Sequence, residues 1–563
     1  MKLVSTAGQR GSYISLSHRW GSGSFTCRTT TDNIDARMKH IGSSLPRTFQ
    51  NVIHFVRLLG HRLLWIDSLC IIQDGDDGAD WRKKAVKMGE YYQYSLLTIG
   101  VICPPDSDDG CFPQRYPFVL GQIACLPYRN SKGEHKGFFY VNARPRTIDD
   151  DYSDLVLNSN LLQRGWVLQE WLLSRRILFV TQNQLFYECQ SRWPVNEFQE
   201  EADLKLQAGR ITSEIHENWK IPLKPMLSLR THPVGGLWCI IVETYCTLSL
   251  TKPECDTLVA ISGIAHEIGK MMTRENNPTG QDIAQACYVA GLWLTDIYHG
   301  LLWEQRKYFG DCHLGCEAPT WSWTLHRQPI KWRPRRLSQT PACHVVALSL
   351  PDGTTFPVEK RGKGLTLACA SDERTNSSQP GHQSPSSFFT VQNSFTTLHI
   401  SACVKPLLVS RRLTPEEIKH IAQSTSCSSD QLTHAWRAVC DSSRPDRHLG
   451  WASIENWAIN EEIDERQRIQ QTVEAGEQVR GGTGVVLHAM HVLTFKGDWV
   501  GMPFGEFAFW NSVCCVIFLV PAQQGAVNGD GNVRGRTYER VGVGRIFKSQ
   551  VFQGMKKVDV ALQ

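Results

Sequence analysis

Leu63-Leu64-Trp65-Ile66-Asp67-Ser68-Leu69-Cys70 is the stretch that decides the fold of the amino-terminal part of this chain. Four consecutive apolar residues run straight into a polar turn, the pattern of a central parallel strand covered on both faces. Upstream, Tyr13-Ile14-Ser15-Leu16-Ser17 is β-prone and meets the flexible loop Gly21-Ser22-Gly23-Ser24. Between the two strands, Pro46 starts a helix with the apolar face Phe49, Val52, Ile53, Val56 and Leu59, closed by Gly60. Downstream, Trp81, Ala85, Met88 and Tyr92 keep helical spacing, and Leu96 to Ile102 reads as a third strand. The order β-α-β-α-β predicts a parallel sheet with right-handed crossovers.

Ligands of an open sheet of this kind bind outside the carboxyl ends of its strands. Those ends are Ser17-His18-Arg19-Trp20-Gly21 and Asp67-Ser68-Leu69-Cys70. A third block, Leu161 to Cys189, reads as a short amphipathic helix followed by a hairpin. Trp166 and Glu170 stand four residues apart on one helical face. Ile177–Val180 and Leu185–Cys189 are the hairpin strands, joined by Thr181-Gln182-Asn183-Gln184.

At 563 residues the chain is too long for one core, so two or more domains are expected. The expected division is 1–190 as an α/β domain, 191–330 as a helical flanking region, and 331–563 as a strand-rich region. Within the second part, Asp256 to Gly263 suggests a helix ending at glycine and Ala284 to Leu302 another. Ala318-Pro319-Thr320-Trp321-Ser322-Trp323 reads as an extended aromatic segment docking on the core. Residues 104–160 look like an irregular insertion, and the Ser/Pro/Gln-rich stretch 371–387 reads as disordered. Glu461 to Arg468 reads as a solvated charged helix.

A net charge of +5 over this length gives no reason to invoke nucleic acid. The dense basic run Lys331 to Arg336 reads as a surface anchor of a linker. The apolar run Phe507 to Val520 is too short to span a bilayer and reads as a buried strand. With no secretory signal in the opening residues, a cytoplasmic location and reduced thiols for the 19 cysteines are expected. Cys312-His313-Leu314-Gly315-Cys316 has metal-ligand residue types but no second half, so no metal is expected. Nucleophile elbows, zincin helices and kinase signatures are absent from the sequence.

Four segments resemble the fungal heterokaryon-incompatibility (HET) family in order, spacing and letters. They are Tyr13 to Gly21, Leu64 to Asp74, Arg164 to Glu170, and Ala318 to Trp323. The chain departs from the family pattern at His18-Arg19, where Tyr-Cys is common, and at Ile72, where Asn is usual. Long members carry residues ahead of the first strand, so a truncated start is expected here. The resemblance implies a role in non-self recognition and in the regulated cell death that follows hyphal fusion. HET domains in turn look like remote relatives of the Toll/interleukin-1 receptor (TIR) domain, a flavodoxin-like parallel sheet. Some TIR domains hydrolyse NAD with a glutamate four residues after a tryptophan, a spacing that Trp166 and Glu170 share.

On that footing Glu170 is the candidate catalytic residue, its carboxylate stabilising the charge that develops on the ribose as nicotinamide departs. Trp166 would stack on the nicotinamide, and Arg19 and Arg164 would pair with the pyrophosphate. Asp67 would contact a ribose hydroxyl, and Ser17, Trp20 and Gly21 would complete the binding loop, with backbone amides near Gly21 and Gly23 facing the phosphates. NAD would then be substrate, with no further cofactor required. Each residue also has an ordinary structural reading: an ion pair with Arg164, Arg175 or Arg176 for Glu170, core packing for Trp166, a turn cap for Asp67, and a surface hydrogen bond for His18. The alternative function is a non-enzymatic adaptor that assembles homotypically. Expected partners are a second copy or other incompatibility signalling proteins, with no nucleic acid and no membrane span.

Overall fold

A computed structural model describes residues 1–6, 8–20, 27–41, 45–102, 110–111, 124–141, 147–182, 184–190, 192–197, 234–276, 287–305, 318–325, 328–332, 339–361, 364–368, 395–414, 436–455, 459–466, 484–495, 512–522, 537–547 and 549–563. The expected loop around Gly21 to Ser24, the stretch 371–387, Cys312 to Cys316 and residues 333–336 of the basic run lie outside them.

The amino-terminal half is built on β1 (Ile14–His18), α1 (Ile34–Lys39), α2 (Arg47–Leu58), β2 (Leu64–Ile66), α3 (Asp67–Cys70), α4 (Ala79–Ala85), α5 (Met88–Gln93) and β3 (Leu97–Val101). Helix α2 buries Phe49, Val52 and Val56, and Gly60 closes it at φ +78°. The stripe Trp81 to Tyr92 is divided between α4 and α5 rather than carried on one helix. A hairpin, β4 (Ala124–Arg129) and β5 (His135–Val141), and α6 (Ile148–Tyr152), secured by a Thr147–Asp150 capping box, occupy much of the stretch expected to be irregular. Then come α7 (Gly165–Leu173), β6 (Arg176–Val180), β7 (Leu185–Cys189) and β8 (Arg192–Asn196).

These strands form one sheet in the order β2-β1-β3-β6-β7-β8. The first four are parallel, with Leu16 beside both Ile66 and Ile99, and Ile99 beside Leu178. The hairpin β6–β7 adds an antiparallel edge, extended by β8 through Asn196. Ile14, Leu16, Val52, Ile66 and Ile99 make the core under α2.

Helix α7 is not amphipathic. Every residue from Gly165 to Leu173 except Trp166 is buried, because α5 and α10 (Ser262–Asn276) pack on it, and α10 in turn packs on α8 (Val234–Tyr245). The short α9 (Pro253–Asp256) precedes α10. Gly263 therefore sits near the start of a helix, not at the end of one. A Cβ there would stand 2.9 Å from Gly89 Cα, so the glycine permits a close crossing of α5 and α10.

Among the described residues 287–302, the single helix expected over 284–302 is also absent. Tyr288–Val289 (β9) and Leu292–Trp293 (β10) pair around Ala290 and Gly291, both at positive φ, and only then does α11 (Ile297–Gly300) begin. Trp238 and Trp323 both donate their indole N–H to the Gly291 carbonyl, which holds this turn in place. Thr320 to Trp323 docks as expected, with Trp321 and Trp323 fully buried, but as turns rather than extended chain.

After β11 (Trp303–Gln305) and β12 (Ile330–Trp332), the rest is a twelve-stranded sheet from β13 (Gln339–Pro341) to β24 (Val558–Leu562). Six of its strands close on themselves: β18 (Val404–Arg412), β19 (Trp436–Asp441), β20 (Arg444–Ile454), β23 (Thr537–Ile546), β22 (Val513–Pro521) and β21 (Val485–Phe495), which pairs with β18 again. Closure removes sheet edges. Leu407, Val439, Leu487, Val516, Phe518 and Val541 form one apolar cluster of this ring. The described part of the run read as a buried strand forms β22, buried from Val513 to Leu519, while residues 507–511 lie outside the described residues. A larger cluster runs from Tyr152 on the amino-terminal side to Leu562, through Trp303, Trp321 and Trp323. Arg540 stacks on Trp303 at 3.4 Å and pairs with buried Glu455, joining β23 to this seam. No helix among the described residues is long and apolar enough to cross a membrane.

Candidate active site

The carboxyl ends of β1 and β2 lie side by side because these strands are parallel neighbours. Ser17 and His18 end β1, and Asp67 follows β2 directly. Asp67 Oδ1 accepts the backbone N–H of Ser68 at 2.7 Å, and Oδ2 accepts the Trp20 indole N–H at 2.9 Å. The Asp67 carboxylate thus caps its own turn and holds the Trp20 indole. His18 is buried with its edge toward Phe49, and its Nδ1 stands 3.8 Å from Asp67 Oδ1. Burial lowers the His18 pKa against the opposing pull of Asp67. The expected surface histidine is thus an interior one.

Helix α7 brings Glu170 to this place. A chain of buried hydroxyls fixes it: Ser15 Oγ to Thr98 Oγ1 at 2.8 Å, Thr98 Oγ1 to Ser174 Oγ at 2.5 Å, and Ser174 Oγ to the Glu170 carbonyl at 2.6 Å. β1 and β3 are thereby tied to the end of α7. The Glu170 carboxyl is 7% exposed and lies among Ser17, Tyr92, Asp67 and Arg164. Burial raises its pKa to about 7, and the Asp67 charge adds to this. Ser17, the Arg164 guanidinium and the Tyr92 hydroxyl act in the opposite direction. Ser17 Oγ is fully buried and turned toward this carboxyl.

The three arginines offered as ion-pair partners for Glu170 are engaged elsewhere. Arg164 Nη1 donates to the His18 carbonyl at 3.2 Å, Arg176 Nη1 donates to the Leu96 carbonyl, and Arg175 lies over the Tyr94 ring. Arg164 still faces Glu170 as a charge.

Glu170, Ser17, Asp67 and Arg164 are therefore brought together, with Trp20 bonded to Asp67. Arg19 is exposed beside them, and Gly21 and Gly23 fall outside the described residues. Trp166 packs against the cluster that holds Tyr92, its indole N–H donating to Asp256 Oδ2 at 3.0 Å and its ring meeting Trp81 edge-on at 6.0 Å. Trp20 is the indole held by the site. Tyr92 escaped the sequence reading, which counted it only in an apolar stripe. The signal was present, since a tyrosine in such a stripe needs a partner for its hydroxyl. That hydroxyl donates to the Leu16 carbonyl at 3.1 Å and faces Glu170.

A parallel α/β domain with a near-neutral buried carboxyl at its strand ends, fused to a strand-rich carboxy-terminal region, defines the class of this protein. Residues 13–170 match the family model described as Heterokaryon incompatibility protein (HET), so the chain carries a HET domain. That domain implies a role in fungal heterokaryon incompatibility. No curated protein and no solved structure matches the chain.

Proposed function

We propose that the HET domain is a TIR-like NAD glycohydrolase that executes regulated cell death when copies of the chain assemble. The observation carrying this reading is the Glu170 carboxyl, almost fully buried at the ends of β1 and β2 beside Asp67 and Arg164. The strand order β2-β1-β3-β6 agrees with the flavodoxin-like order 2-1-3-4 and supports the TIR-like reading.

In the reaction the bond between ribose C1′ and the nicotinamide nitrogen breaks, and its electron pair leaves with the ring. Nicotinamide departs neutral from a cationic pyridinium, so no general acid is required. Glu170, ionised, stabilises the positive charge developing at C1′ in a site that excludes most water. Water then adds its oxygen to C1′ and releases a proton, giving ADP-ribose. Asp67 would hold a ribose hydroxyl, Arg164 and Arg19 the pyrophosphate, and Trp20 the nicotinamide face.

The adaptor reading is favoured by one feature, the hairpin β4–β5, which exposes Leu126, Tyr128 and Phe138 within the matched residues. Purified full chain, clustered on a multivalent support, is incubated with NAD and nicotinamide release is followed. Turnover that falls by about 10²-fold or more in Glu170→Gln, with the circular dichroism unchanged, supports the enzyme. Absence of turnover in clustered wild type overturns it in favour of the adaptor.

A further inference from the structure

Three side chains far from Glu170 in sequence converge on one point in the helical region. Cys239 stands in the middle of α8, Asp296 immediately precedes α11, and His299 lies within α11. Asp296 and His299 are three residues apart, a spacing that puts them on one face of a helical turn. Their ligand atoms and Cys239 Sγ all lie within 4.8 Å of one another. Cys239 and His299 are 6% and 7% exposed, and Asp296 is partly exposed.

We propose that Cys239, Asp296 and His299 form a zinc site that clasps α8 to α11. A thiolate, an imidazole and a carboxylate are all ordinary zinc ligands, and the thiolate selects against the hard cations calcium and magnesium. Zinc–sulfur and zinc–nitrogen bonds of about 2.3 Å and 2.05 Å at a tetrahedral angle place the two donor atoms about 3.6 Å apart. Cys239 Sγ and His299 Nδ1 are separated by 3.9 Å, so a side-chain adjustment of a few tenths of an ångström closes the site. Three protein ligands leave a fourth position for water, and the partial exposure of Asp296 gives the ion a way in. Binding releases the Cys239 thiol proton, so affinity rises with pH. The site takes its ligands from two segments far apart in sequence, so its contribution is to the stability of the region packed on α7.

The test uses the full chain passed through metal-free buffer, with zinc counted by mass spectrometry, and a parallel sample reloaded with cobalt. The expected result is a single zinc equivalent per chain, lost to background in Cys239→Ser and reduced in Asp296→Asn. A thiolate-to-cobalt charge-transfer band should be present in wild type and absent in Cys239→Ser. Asp296→Asn is partly exposed and nearly isosteric, so it reports on binding even where Cys239→Ser fails to fold. Wild type holding only background zinc overturns the proposal, as does zinc that is unchanged in Asp296→Asn and lost in a Cys312→Ser/Cys316→Ser double variant. In either case the Cys239–His299 approach is a thiol–imidazole contact only.

Discussion

The carboxyl of Glu170, carried by α7, faces the carboxylate of Asp67, which begins α3, and the two belong to one electrostatic unit. Asp67 adds to the burial that raises Glu170 to about 7, while Arg164 draws it back. The Asp67 carboxylate is bonded to a backbone N–H and the Trp20 indole, and its charge acts on the buried Glu170 carboxyl. Burial of Glu170, reinforced by that charge, gives the site a titration near neutrality.

Stability should fall as pH rises through that titration. The unfolded chain releases the Glu170 proton near 4.5, whereas the folded chain keeps it to about 7. Between those values the folded state binds more protons, so alkalinisation favours unfolding; the cost is absent below 4.5 and complete above 7. The gap corresponds to about 3 kcal/mol. Glu170→Gln lacks this term, so the variant should gain on wild type in denaturation midpoints measured from pH 4 to 8. Buried Glu455 is also raised to about 7, but it is present in both proteins and cancels in the difference. A difference that is flat with pH refutes the assignment.

Removal of Arg164 should move this titration in the alkaline direction. Its guanidinium favours the ionised Glu170, so Arg164→Met raises the carboxyl further. NAD cleavage, which needs the anion, should rise with pH to a plateau above 7 in wild type and reach its midpoint later in the variant. A midpoint unmoved in both the rate profile and a carboxyl carbon NMR titration contradicts the coupling.

Trp166→Phe should destabilise the fold and leave the site intact. The substitution deletes the indole hydrogen bond to Asp256 at 3.0 Å, a loss of about 1–3 kcal/mol. Urea midpoints should drop, while KM for NAD and the pH midpoint stay where they were. A rise in KM without loss of stability would return Trp166 to the binding surface.

Gly263→Ala should loosen the packing over α7. The added methyl would stand 2.8 Å from Gln169 Oε1 and 2.9 Å from Gly89 Cα, so the helices must part. Overpacking of this kind costs about 1–3 kcal/mol. Faster hydrogen exchange in α7 is the expected signature, and exchange unchanged there argues against the close crossing.

The strand and helix periods carried the amino-terminal half because the information is local. The apolar run at Leu63 to Ile66 does form a parallel strand, and α2 announces its face in Phe49, Val52 and Val56. But β2 is the edge of the sheet rather than a central strand covered on both faces, with Leu63 exposed and only Ile66 buried. That Ser17 and Asp67 stand side by side follows from the same local information, since parallel neighbours align their carboxyl ends, whereas the approach of Glu170 depends on how α7 packs. The two readings of Trp166 stayed open in the sequence because spacing along a helix fixes the face but not the neighbour. The Trp166 indole is claimed by Asp256, ninety residues downstream.

The sequence by itself determined the alternation of strand and helix up to β3, the hairpin β6–β7, the buried character of β22 and the docking of Trp321 and Trp323, since each follows from a short pattern of apolar residues. Only the tertiary structure decided that α7 is enclosed, that Tyr92 faces Glu170, that six late strands close into a ring, and that Cys239 meets His299. Those outcomes depend on contacts between residues far apart in the chain, where burial and close approach of backbones override any local preference.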